Sequence, residues 1–95
     1  MRVVEFKSTK ENYEKEMFGT KCNTFRKVDE TDDRFKSLRT GEAQFVIIRN
    51  AENETNYFLR RISDYTEYEG YGIISWNQVE NRLNVFDTMA DEHAL

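Results

Sequence analysis

Lys21, Thr24 and Arg26 lie within six residues, in the run Gly19-Thr20-Lys21-Cys22-Asn23-Thr24-Phe25-Arg26. An ammonium, a hydroxyl and a guanidinium so close together can hold a small polar ligand. A lysine kept from water can also act as a base, and a threonine hydroxyl next to such a base can act as a nucleophile. Arg26 has two readings: a planar fork for a base edge or a phosphate, or a partner for an acid of the Asp29–Asp33 loop or Glu42. The run begins where a helix hands over to a strand. Ser8 can cap the first turn of that helix, with Glu11 closing a capping box, Tyr13 and Met17 follow at i, i+4, and Gly19 suits a left-handed terminus. If Cys22 to Val28 is extended, Thr24 and Arg26 share a face and Lys21 has the opposite parity, so Lys21 joins them only through the preceding turn or a bulge.

Gly19, Lys21, Thr24 and Arg26 resemble the glycine-lysine-glutamate-arginine signature of ASCH domains, relatives of the RNA-binding PUA fold, with Thr24 in the glutamate position. That replacement is similar to the small amidohydrolases acting on N4-acetylcytidine. Arg26-Lys27, Phe35-Lys36, Gly41-Glu42 and Phe45–Arg49 resemble a phage-associated ASCH-like family, and Gly70-Tyr71-Gly72-Ile73-Ile74-Ser75 is similar to its closing strand. The resemblance spans Val3 to Trp76. It implies an α+β PUA/ASCH-like fold and a site for a nucleoside, a nucleotide or RNA at Lys21, Thr24 and Arg26. For an amidohydrolase it implies Thr24 as nucleophile, Lys21 as base and a glutamate late in the chain, for which Glu67 and Glu69 are the candidates by position. Tyr68 and Tyr71 flank that loop and offer stacking faces for a base.

The 95 residues form one domain, with 88–95 expected to be a flexible tail. Only 38% of the residues are hydrophobic and 34% are charged, so the core must rest on seven Phe, five Tyr and one Trp. Phe25, Phe45, Ile47, Phe58, Ile62 and Ile73 are the expected core. No window has the ~18 apolar residues of a membrane span and no signal peptide opens the chain, so a cytoplasmic setting without membrane contact is expected. One Cys and one His make a structural metal improbable, and no cofactor is expected. The acidic run Asp29-Glu30-Thr31-Asp32-Asp33 lacks the order of a calcium loop and reads as a solvated turn.

Residues 1–50 carry 11 Lys/Arg against 9 Asp/Glu, and residues 51–95 carry 3 against 9. This excludes a broad basic nucleic-acid footprint but leaves room for one basic cleft, holding one phosphate or nucleotide. The acidic half gives a third possibility, a phage-type protein that binds a host protein through residues 51–95. Strands are expected at Arg2–Lys7, Cys22–Val28, Gln44–Arg49, Thr55–Ser63 and Tyr71–Trp76, with one early helix, a hairpin through residues 50–54, a turn over Asp64–Gly70 and a helical turn around Val79 and Leu83. Together they make a small mixed, barrel-like sheet of about five strands.

Overall fold

A computed structural model describes residues 1–77. The helical turn at Val79 and Leu83, the 88–95 tail and His93 lie outside the described residues. The element order is β1 (Val3–Ser8), α1 (Lys10–Met17), β2 (Asn23–Lys27), α2 (Asp33–Thr40), β3 (Phe45–Asn50), β4 (Tyr57–Tyr68) and β5 (Tyr71–Trp76). The protein is α+β, with five strands in the order β1-β3-β4-β5-β2. β1 and β3 are parallel and every other pairing is antiparallel. The sheet does not close: β1 and β2 are its two edges and no ladder joins them.

α1 is capped by Thr9, whose hydroxyl accepts from Asn12 N, rather than by Ser8. Ser8 ends β1 and turns its side chain inward. Gly19 follows α1 at φ 84°, the left-handed geometry expected there. α2 was not anticipated as a helix, although its signals are local. Asp32 caps it, Phe35 and Leu38 face the core three residues apart, and Gly41 ends it at φ 80°.

β4 continues five residues past the expected end at Ser63. A register shift between Ile62 and Asp64 bends it, so its first half pairs with β3 and its second with β5. The β4–β5 connection is therefore only Glu69-Gly70, at φ 50° and 84°. Two positive φ values in a two-residue turn match the twist of a hairpin.

The core comprises Val4 and Phe6 of β1, Val46 and Ile48 of β3, Phe58, Ile74 and Trp76, with Tyr13 of α1 and Phe35 and Leu38 of α2. This corrects the expected core on three strands. Phe45, Ile47 and Ile73 are only half-buried, and Phe25 is 54% exposed; their neighbours Val46, Ile48, Ile74 and Thr24 point inward instead. β3 and β5 carry apolar side chains on both faces, so alternation gives no parity to read. Phe58 is buried as expected, against Trp76 and Tyr13 at 6.1 and 5.5 Å between ring centroids, and Ile62 packs at the margin. No helix among the described residues is long and apolar enough to cross a membrane.

Candidate functional site

Lys21, Thr24 and Arg26 do meet, around two residues that carry no motif. The bend of β4 curls the sheet until the open edges β1 and β2 face each other, and Arg26 spans the seam. Its Nε donates to Thr24 Oγ1 at 3.0 Å, its Nη2 donates to Ser8 Oγ at 2.6 Å, and its Nη1 donates to the Lys7 carbonyl. Ser8 Oγ in turn donates to Glu16 Oε1 at 2.9 Å, and Lys21 Nζ lies 3.7 Å from Glu16 Oε2. Glu16 is 1% exposed and Thr24 2% exposed, whereas the Lys21 side chain is 31% exposed and reaches the rim. The cluster is a buried carboxylate held by a serine and a lysine, with the arginine one hydroxyl away.

Local structure explains the placement. Glu16 lies three residues after Tyr13 on α1, so the stripe that buries Tyr13 carries Glu16 in beside it. The Lys21 amide bonds back to the Lys15 carbonyl at 3.0 Å, folding the Gly19–Lys21 turn against the end of α1 and bringing Lys21 to Glu16 despite its parity. A carboxylate buried without a cation would be costly, and Lys21 together with Arg26 supplies the compensation. Burial lowers the proton affinity of the Arg26 guanidinium, and the Glu16 charge opposes that shift.

Glu67 and Glu69 are not the carboxylates beside Lys21. Glu67 accepts from Arg39 Nε at 2.6 Å and Nη2 at 3.0 Å and also from the Tyr65 hydroxyl, which ties α2 to β4. Arg39 holds the Glu67 carboxyl below its ordinary range. Glu69 is spent on the positive-φ turn. Nor does Arg26 pair with Asp29, Glu30 or Glu42. Asp29 accepts from Thr31, Glu30 from Arg39, and Glu42 sits 2.9 Å from the N-terminal ammonium. Asp32 caps α2 and pairs with Arg34.

Beside the Arg26 end of the seam lies an open cleft of about 280 Å³, lined by Phe6, Phe35, Arg26, Lys27, Arg34, Asp29 and Asp32. The Arg34 and Arg26 guanidinium carbons lie 4.0 and 5.2 Å from the Phe6 ring centroid. Arg34 is committed to Asp32 and the Glu5 carbonyl. Lys27 has no ion pair or side-chain hydrogen bond among the described residues. Across the ladder Lys27 pairs with Tyr71, which pairs with Tyr68. Directly opposite residues put their side chains on the same face, so the two exposed tyrosines stand in one row with the uncommitted lysine. Lys27 was missed as a site residue because it lies outside the four-residue signature, and Glu16 because a buried acid on a short helix leaves no spacing signal. No family model, curated protein or solved structure matches this chain.

Proposed function

We propose that the chain is a small nucleotide- or RNA-end-binding module of the ASCH/PUA-like type. Its phosphate would sit at Lys27, with Lys21 and Arg26 setting the field of the seam, and its base would rest on Tyr71 and Tyr68. The observation that carries this reading is the row Lys27-Tyr71-Tyr68 on the outer face of the sheet, in which Lys27 also borders the cleft that holds Arg26 and Arg34. An unpaired ammonium next to exposed aromatic faces is the combination that single nucleotides need. One cleft with a local positive charge also suits a protein whose net charge is −4, because a long polyanion would meet its acidic half.

Binding is favoured over deacylation of N4-acetylcytidine by the environment of Thr24. That hydroxyl accepts from Arg26 Nε and is almost wholly buried, whereas a nucleophile must reach a substrate carbonyl. Binding of cytidine 5′-monophosphate, followed by calorimetry at low salt, tests the reading. Lys27→Gln and Tyr71→Ala should each weaken binding roughly tenfold, the scale of one charge-assisted contact or one stacked base. Wild-type affinity in both variants, or acetate release from N4-acetylcytidine that depends on Thr24, would overturn it.

A further inference from the structure

The outer face of β2, β5 and β4 carries a second row beside Lys27-Tyr71-Tyr68. Phe25 of β2 lies directly opposite Ile73 of β5, and Ile73 lies opposite Thr66 of β4, so all three share the outer face one row along. Phe25 is 54% exposed, against 48% for Tyr71 and 68% for Tyr68. One exposed apolar residue needs no explanation, but three large open rings on adjacent positions of one face form a patch.

Lys27 stands at the corner of that patch. Tyr71 is its partner across the ladder, about 5 Å away, and Phe25 is two residues back along the same strand, about 7 Å away. Phe25 and Tyr71 are then diagonal neighbours, roughly 7–8 Å apart, and the lysine flanks both. Bases stacked in a duplex strand follow one another every ~3.4 Å, so two bases seated on these rings must be drawn apart. Splayed bases on separate aromatic faces are the mode in which single strands are held, and the phosphate that links them falls at the corner cation.

Both ends of the patch are closed. The next row past Phe25 is Asn23-Ser75-Asp64, which offers no ring and sets a carboxylate where a further phosphate would run. On the other side the strands stop at the Glu69-Gly70 turn, again with an acid. Resting on the nucleotide reading above, we infer that the ligand is a single-stranded dinucleotide step. Its phosphodiester would meet Lys27, the base on the 3′ side would lie on Tyr71 and Tyr68, and the base on the 5′ side would lie on Phe25. The site takes two nucleotides and no third.

The test compares two diesters of equal charge by calorimetry at low salt. Cytidylyl-3′,5′-cytidine has both bases, whereas cytidine 5′-methyl phosphate keeps the phosphate and the first base and lacks the second. The dinucleotide should bind roughly tenfold more tightly, the scale of one stacked base. In Phe25→Ala, at an exposed position that folding does not need, the two diesters should bind alike. The trinucleotide of cytidine should add no second gain of that size. Equal affinities for the two diesters in the wild-type chain would overturn the inference. So would an advantage that survives Phe25→Ala, or a further tenfold with the trinucleotide. Cytidine 5′-monophosphate separates this failure from failure of the underlying reading. If it binds through Lys27 while the dinucleotide shows no advantage, only the Phe25 platform is lost, and if neither it nor the diesters bind through Lys27, both are lost.

Discussion

Arg26 of β2 donates to Ser8 Oγ of β1 at 2.6 Å, across the one place where the five-stranded sheet has no ladder. The two edges are joined by a side chain instead of by backbone pairing, and the same guanidinium also holds Thr24 and the Lys7 carbonyl. The fold therefore depends on Arg26, and through Ser8 so does the buried Glu16.

Replacing Arg26 by Met removes three donors and leaves Lys21 as the only cation paired with Glu16 among the described residues. We expect a loss of about 2–4 kcal/mol in urea unfolding, the range for breaking a buried charged network. A coupled test adds Glu16→Gln. If the two groups form one network, the double variant should lose less than the sum of the singles.

Phe58 and Phe25 form a contrasting pair. Phe58 is packed between Tyr13 and Trp76, so Phe58→Ala should cost about 3–5 kcal/mol. Phe25 is 54% exposed on the outer face, and Phe25→Ala should change stability by less than about 0.5 kcal/mol. Chemical denaturation of both variants side by side checks the parity of β2 as well as the depth of Phe58.

Gly72 has no space for a side chain, since an added Cβ would come within 2.6 Å of the Tyr65 hydroxyl and 2.9 Å of its ring edge. Gly72→Ala must push the Tyr65 ring away and break its bond to Glu67, at a cost of about 1–3 kcal/mol. The Tyr65→Ala background should remove most of that penalty, which thermal melts of the single and double variants would show.

Arg39 lowers the proton affinity of both Glu30 and Glu67. Carboxyls depressed in the folded state bind fewer protons there than in the unfolded chain, so their contribution is complete above the ordinary value of 4.5 and is lost as pH falls below it. Arg39→Gln should lower the melting temperature at pH 7 and flatten its fall as pH drops below 4.5. An unchanged slope of melting temperature against pH in that range would remove the clamp between α2 and β4.

The five strand segments and the β3–β4 hairpin were legible because turn residues and apolar runs are local, whereas their order in the sheet, with β1 beside β3 and β2 beside β5, depends on pairings distant in sequence. Thr9 took the cap from Ser8 because Ser8 had a stronger partner, Glu16, that only the folded chain supplies. The same holds for the site. Lys21, Thr24 and Arg26 could be singled out from type and spacing, but the glutamate that serves them sits one helical turn past Tyr13, where a charge reads as solvent-facing. Glu67 looked available by position and is consumed by Arg39, a pairing 28 residues apart in sequence that no local pattern encodes. Core parity on β3 failed because Phe45-Val46-Ile47-Ile48 is apolar throughout, and only packing against α1 and α2 decides which side is inner.

On the proposed reading, a nucleotide phosphate meets Lys27 beside Tyr71 and Tyr68. The most direct measurement is a ¹H–¹⁵N shift map of residues 1–77 with cytidine 5′-monophosphate, at low and at raised salt. Saturable shifts are expected, centred on Lys27, Tyr71 and Tyr68, extending to Arg26, weakened by salt and lost in Lys27→Gln. Shifts absent from that row, or present there and indifferent to Lys27→Gln, would contradict it.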